Sequence, residues 1–469
     1  MSEQPRTRQE LYEQVRNLGR EEFILEEMIR YGFWSPQGTI PEDRADEIRR
    51  AGEIRRELDE LRRESSRLHN EQKLRKEALK KRLAESRKKQ QETKERREKE
   101  RLERAQAWKQ KKQQEIIYLG EEVSAGLNKL QANLERLQNN NLPLCNTAEE
   151  IAQAMGITIG KLRFLAFNRK TSTVSHYIRF KMPKKTGGER FISAPMPNLK
   201  QAQHWILTNI LDKLQVHQAA HGFCRKRSII TNATPHVGAD VVINFDLKDF
   251  FPSISYKRVK GLFHSFGYSE TAATIFALLS TAADVEKLQL DGKTYYVAVG
   301  DRHLPQGSPA SPAITNLLCR RLDKRLTGMA DNLGFTYTRY ADDITFSASS
   351  HNLRHVCNIL RRTESIVTHE GLVINPQKTR VLRNTRQQEV TGVVVNEKLN
   401  VCRKTLRKFR ATLYQIEQQG LEGKSWGNST NLLFAIAGYA NFVAMVNPQK
   451  GREFQLIVKR IKNKYAPKR

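Results

Sequence analysis

The sequence predicts an α+β protein with a long, partly coiled-coil helical extension at its N-terminus. Three observations carry that expectation. Residues 1–140 are helical by pattern, the remainder alternates strands with amphipathic helices, and the positive charge is divided unequally between the two parts. Of 469 residues, 81 are Lys or Arg and 51 are Asp or Glu, a formal net charge of +30. Residues 1–140 hold 33 basic and 28 acidic residues and the rest hold 48 and 23, so the net charges are +5 and +25. A chain this basic points to a polyanionic partner, and its length allows two or three domains with real cores.

The extension opens with RQELYEQVRNLGREEFILEEMIRYGFW, apolar at helical spacing and ending in Tyr31, Phe33 and Trp34. A turn, SPQGTIPED, follows. Ala51, Ile54, Leu58, Leu61 and Leu68 then mark a heptad seam that fades where Ser65 and Gln72 take later a positions. From Glu92 to Glu115 opposite charges recur three and four residues apart, as in KERREKERLER. That pattern suits a solvated helix whose ion pairs are each worth a few tenths of a kcal/mol. The expectation for residues 1–140 is a helical arm or spacer that offers a route to oligomerisation. Its segment 61–90, with 12 Lys+Arg against 4 Glu, is basic enough to lie along phosphates. LQNNNLPLCN reads as a linker.

Beyond it, TAEEIAQAMGITIGKLRFLA begins with a threonine N-cap, Thr147, and a glutamate three residues on. HYIRFKMPKKTGGERFISAP reads as a β-hairpin with Lys184, Lys185, a Gly187-Gly188 turn and Arg190 at its tip. NLKQAQHWILTNILDKL is an amphipathic helix. VVINFDLKDFFPSI is an apolar strand that runs into Asp246, and an acid at the end of a buried strand is costly unless something positive meets it. In FTYTRYADDITFS the residues around Asp342 and Asp343 favour strand. A lone Asp-Asp is usually a turn. Joined by Asp246, the pair can instead converge on two divalent cations about 3.5–4 Å apart, as in two-metal phosphoryl transfer, and carboxylates suit Mg²⁺.

NFDLKDFFPSI, LPQGSPASPAITNLLC, YADDITFS, GLVINPQKTRVLR and VTGVVVN resemble, in order, the palm motifs of a reverse transcriptase. NATPH (Asn232, Ala233, His236) and VTG (Val390, Thr391, Gly392) resemble the two signatures of the bacterial retron branch, and the likeness covers roughly residues 146–469. It implies a right-hand polymerase, with residues 1–140 as the extension, 141–398 as fingers and an antiparallel palm sheet flanked by helices, and 399–469 as a helical thumb. It implies metal binding by Asp246, Asp342, Asp343 and the backbone carbonyl of Leu247. Lys185 and Arg190 are then expected on the triphosphate of a dNTP, with Lys184 nearly as well placed. Phe251 belongs under the incoming sugar, Gln306 against the nucleotide, and Lys378 near the leaving pyrophosphate as a general acid. Asn232, Ala233, His236, Val390, Thr391 and Gly392 are expected to recognise RNA, although His236 also reads as a buried, hydrogen-bonded histidine.

The implied activity is RNA-directed DNA synthesis, copying a structured noncoding RNA into a branched RNA–DNA hybrid primed from a guanosine 2′-OH. The implied setting is defence against phage with a separately encoded effector. Two other readings stay open at this stage. A group II intron-like reverse transcriptase would normally carry a maturase segment and often an HNH nuclease after the thumb. A non-catalytic RNA-binding scaffold would have no reason to keep three acids together. The five cysteines form no CxxC pair and suggest buried thiols in a reducing compartment. No apolar run approaches the roughly 18 residues of a membrane span, and MSEQPRTRQE is no signal peptide, so a cytoplasmic protein without a membrane partner is expected.

Overall fold

The computed structural model describes residues 7–34, 44–67, 73–184 and 187–465. Its contacts divide the chain into two units. One comprises Met1–Leu134, Leu144–Thr171 and Gly267–Leu278; the other comprises Glu135–Pro143, Ser172–Phe266 and Leu279–Arg469.

The first unit begins with helices Arg8–Leu18, Arg20–Arg30, Arg44–Arg67 and Lys73–Gln114. Thr7 and Glu10 form a capping box, and Gly19, at φ 84°, separates the first two helices. Trp34 from the aromatic cluster lies 6.4 Å, ring to ring, from Trp108. Arg96 and Glu100 make one of the anticipated i,i+4 ion pairs at 3.8 Å. Leu58 and Leu61 of the heptad seam are 36% and 57% exposed, while Leu68 and Gln72 fall outside the described residues. A packed core starts at Ile116. Ile116, Leu119, Val123 and Leu127 are buried, as are Ile151 and Leu162 of two short helices, Ala148–Ala154 and Ile159–Ala166. The first of those helices opens on the anticipated cap, the Glu150 amide donating to Thr147 Oγ at 3.1 Å. Thr271 Oγ donates to the Leu127 carbonyl at 2.7 Å and so ties the later segment to the earlier one.

The second unit is built on a four-stranded antiparallel sheet in the order Thr336–Tyr340, Asp343–Ala348, Val241–Asp246, Arg380–Arg383. Alternation along the central strand serves two cores. Val241, Ile243 and Phe245 pack with Leu322, Leu326 and Met329 of helix Arg320–Leu333 and with Ile359 and Val367 of helix Val356–His369. Val242 points the other way, into a core with Ala233, Val390, Val393, Leu406 and Phe409. Burial on both faces is why this strand reads as a continuous apolar run. Helices Arg403–Gln419, Leu432–Val446 and Pro448–Tyr465 gather around Phe409, whose ring lies 4.8, 4.6 and 5.2 Å from Trp426, Tyr439 and Phe454. The α+β expectation is met by this sheet and its flanking helices.

Two hairpins complete the unit. The anticipated one pairs Tyr177–Pro183 with Glu189–Pro195, register Pro183 to Glu189. A second and longer one, Ala282–Leu290 with Lys293–His303, is absent from the sequence reading. Its signal was there to be found: Asp291 and Gly292 form the two-residue turn, both at positive φ, the arrangement Asp-Gly favours in hairpins. The cysteines need a correction. Cys145 and Cys319 are buried, Cys224 and Cys402 half-buried, and Cys357 exposed, because Cys357 sits on a solvent-facing position of helix Val356–His369.

Candidate active site

Asp342 and Asp343 lie at a two-residue reversal. Tyr340 pairs with Asp343, so Ala341 and Asp342 make the turn and Asp343 begins the return strand. The turn reading and the metal reading of the pair are thus compatible. Ala341 holds φ 57°, a left-handed conformation that is unfavourable for a residue with a Cβ. Its surroundings impose it. Arg339 Nη1 donates to the Ala341 carbonyl at 3.0 Å, the Leu247 amide donates to the Asp342 carbonyl at 3.0 Å, and Ala341 itself is buried.

Beneath the turn lies a cluster that the sequence reading missed. Arg339 and Asp323 are both fully buried (0% side-chain exposure) and paired through two bonds of 2.7 Å, Nε to Oδ1 and Nη2 to Oδ2. Tyr337 Oη donates to Asp323 Oδ1 at 2.8 Å, and Arg339 Nη1 donates to Asn316 Oδ1 at 3.1 Å. A buried pair of this kind holds only when its remaining polar atoms are satisfied, and here they are. An arginine inside the strand pattern TYTRY was the available signal.

Asp246 ends the central strand directly opposite Asp343. Lys378 Nζ lies 2.8 Å from Asp246 Oδ1, and the Asn375 amide donates to the Asp246 carbonyl at 2.8 Å. Leu247, buried, follows it. Burial pushes the Asp343 carboxyl up to about 7, with the charges of Asp342 and Asp246 adding to the effect and Lys378 opposing it. Asp342 is raised for the same first reason, burial, with Asp246 adding, while its own backbone amide, Lys378 and Arg190 oppose. Among the described residues no three His, Cys, Asp or Glu groups are gathered as a finished metal cage. The donor set nonetheless fits a hard divalent cation: two raised carboxyls beside a third, with one ammonium to balance them, leave negative charge that a cation would relieve.

Around this centre, Arg190 is exposed on the return strand of the first hairpin. Lys184 is exposed before its turn, and Lys185 lies outside the described residues. Phe251 is half-buried against the palm-side core, its ring 5.6 Å from that of buried Phe250. The Gln306 carbonyl accepts from the Ser193 amide at 2.7 Å, and Gly307, at φ 119°, sits where a Cβ would approach the Ser193 carbonyl to 2.9 Å. Ser308 Oγ donates to Gln203 Oε1 at 2.9 Å, and Gln203 Nε2 donates to Tyr177 Oη at 3.0 Å. Gln203, on helix Pro197–Asn209, therefore links the LPQGSP loop to the base of the hairpin. No sequence signal singled it out.

The NATPH segment lies inside the fold. Asn232, Ala233 and His236 have no exposed surface (0% each). His236 is held between Ser347 Oγ at 2.6 Å and Thr338 Oγ at 2.7 Å, against the two strands that flank the aspartate turn. Burial, with a smaller push from His221, lowers its pKa to about 3, so it is neutral there. The two signatures do meet each other. Asn232 Nδ2 donates to Thr391 Oγ at 3.4 Å, Ala233 and Val390 share one core, and Thr391 and Gly392 turn at φ 46° and 84°.

The family model for reverse transcriptase (RNA-dependent DNA polymerase) matches residues 182–395. The Retron Mx162 reverse transcriptase of Myxococcus xanthus is 46% identical over 336 residues, 68% of this chain and 68% of that one. The Retron Ec86 reverse transcriptase of Escherichia coli is 34% identical over 335 residues, 71% of this chain and 95% of that one. Among solved structures, telomerase from Candida albicans in complex with a telomeric RNA fragment aligns over 62% of this chain and 57% of that one, at 15% identity and a TM-score of 0.37. The chain belongs to the retron reverse transcriptases, RNA-directed DNA polymerases of the right-hand fold.

Proposed function

We propose that this polymerase copies a structured noncoding RNA into single-stranded DNA, beginning from a guanosine 2′-OH of that RNA and leaving a branched RNA–DNA product. One observation supports the catalytic part above all others: the strand register sets Asp343 opposite Asp246, with Asp342 in the adjoining turn and Lys378 2.8 Å from Asp246. Reverse transcriptases use divalent metal ions and dNTPs. Here Asp246, Asp342, Asp343 and the Leu247 carbonyl would hold two Mg²⁺, which when bound activate the attacking hydroxyl and neutralise the triphosphate.

The protein's own groups prepare that reaction. Arg190 and Lys185 hold the triphosphate, while Phe251 lies under the sugar and excludes a 2′-OH. Gln306 touches the incoming nucleotide on a loop fixed by Ser193 and Gln203. Lys378 balances Asp246 and stands as the proton donor to the departing pyrophosphate. Asn232, Ala233, His236, Val390, Thr391 and Gly392 shape the RNA-recognising surface indirectly, by fixing the turn at Thr391 and Gly392 against the sheet. The N-terminal helices, with Leu58 and Leu61 uncovered, serve assembly with a second copy or an effector protein in antiphage defence.

Asp342→Asn with Asp343→Asn tests the catalytic reading. Extension of a primed RNA template should fall below detection while RNA binding and thermal stability are kept. Extension at the wild-type rate would overturn it.

A further inference from the structure

The loop His221–Arg227 lies against the catalytic turn, and the reading above gives it no part. Gly222 fits there without room to spare: a Cβ at this position would stand 2.6 Å from the Ala341 backbone nitrogen. Its carbonyl accepts from Asn316 Nδ2 at 2.8 Å and from the Cys224 thiol at 3.3 Å. Asn316 Oδ1 in turn accepts from Arg339 Nη1 at 3.1 Å, the same nitrogen that holds the Ala341 carbonyl at 3.0 Å. The backbone of the strand joins in, since the His221 amide donates to the Arg339 carbonyl and the Arg339 amide to the Ala219 carbonyl, each at 2.7 Å. One buried guanidinium thereby fixes the height of the loop and of the aspartate turn together.

Phe223 is mounted on this support. Its backbone is left-handed at φ 58°, a conformation that is a true outlier for a bulky residue. Its side chain is 60% exposed, and its ring lies 6.4 Å from that of Tyr340, tilted by 37°. Tyr340 immediately precedes the turn. Scattered exposed apolar residues need no explanation, but this one combines solvent exposure, an unfavourable backbone and rigid support from beneath. Such placement is how a contact residue is pre-organised. The neighbouring chain is basic: Lys226 is also left-handed, at φ 60°, and Arg227 Nη1 anchors the loop by donating to the His217 carbonyl at 2.8 Å.

We infer that Phe223 is a stacking platform for an unstacked nucleobase of the primed template at the catalytic turn. It acts as a positioning residue that sets the duplex against Asp342 and Asp343. The inference rests on the catalytic reading of those acids. Aromatic side chains serve such a role regardless of base identity, because every base offers a π-face, and alanine at such a position typically costs about 5- to 150-fold in binding.

Phe223→Ala, Phe223→Leu and Phe223→Trp in the full chain separate stacking from bulk. Each keeps the same left-handed backbone demand at an exposed site, so thermal stability should match wild type. The probe is a primed RNA template carrying 2-aminopurine near the primer terminus. Expected for Phe223→Ala are about tenfold weaker duplex binding, shorter products per binding event, loss of the 2-aminopurine quench and an unchanged KM for dNTP. Phe223→Trp should restore all of these and Phe223→Leu should not. Alanine within twofold of wild type in affinity and product length, or leucine equal to wild type, overturns the inference. The Asp342→Asn, Asp343→Asn protein, run alongside, tells the two failures apart. If it is inactive while Phe223→Ala is normal, the catalytic reading stands and only the platform falls. If it extends the primer normally, both fall.

Discussion

The strand Val241–Asp246 and the helix Lys73–Gln114 use charge in opposite ways. Around the strand, Arg339 and Asp323 are fully buried with named partners, and Arg339 Nη1 and the Leu247 amide hold the carbonyls of the turn that carries the acids. Along the helix most of the described side chains are exposed, and its ion pairs, such as Arg96 with Glu100 at 3.8 Å, stand in water. A charge in the first setting fixes geometry because it cannot be left unpaired. A charge in the second keeps the helix solvated and contributes little to stability. Residue type alone does not tell the two settings apart, since Arg pairs with an acid in both.

The largest effect is expected at Arg339. Arg339→Met leaves Asp323 buried without its partner, which typically costs about 3–5 kcal/mol. Thermal unfolding should show a large drop for this variant. Arg339→Met with Asp323→Leu, which removes both charges, should regain much of the loss yet remain slow in extension, because the Ala341 carbonyl and Asn316 still lack their donor. A double variant with full activity would mean that the pair is packing alone.

A smaller effect is expected from acid. His236 is neutral in the fold, its pKa near 3 against 6.5 when unfolded. Between those values the unfolded chain holds a proton that the folded chain does not, so stability present above pH 6.5 is lost as the pH falls. The slope is about 1.4 kcal/mol per pH unit for this one group. Comparing thermal unfolding at pH 7 and pH 5 for wild type and His236→Gln checks it: the substitution should lower stability at pH 7 but flatten the decline towards pH 5. Equal declines in both proteins would place the acid sensitivity elsewhere.

These cases also mark what was legible in the sequence. VVINFD and YADD could be read because a two-faced buried strand shows as an apolar run and because acids interrupting strands are conspicuous. Thr147 and Glu150 could be read because a capping box is local. Arg339 with Asp323, Gly222 under Ala341, and Gln203 with Ser308 could not, since each pairs residues brought together only by the fold. His236 was legible in both senses, as signature and as buried histidine, and the structure shows the burial, between Ser347 and Thr338. The Asp291-Gly292 hairpin belongs with the legible features, since its turn signal is local.

The smallest effect is expected at the other pole of the comparison. Removing residues 1–114 stops short of Ile116, where the buried cluster with Leu119, Val123 and Leu127 begins, and takes away the four N-terminal helices, in which Leu25 is the one buried hydrophobic among the described residues. The remaining residues hold 50 basic and 27 acidic side chains, net +23, so electrostatic attraction to RNA is nearly intact. Extension of a generic primed template should stay within about twofold of wild type, since surface ion pairs of the kind lost here contribute little. What should change is assembly. Sedimentation or light scattering of the full and shortened chains, with and without RNA, would show a higher-order species that depends on the helices and their uncovered Leu58 and Leu61. If the shortened chain instead loses extension on a generic template, the helices belong to the catalytic machinery, and the contrast between positioned and solvated charge fails where it was drawn.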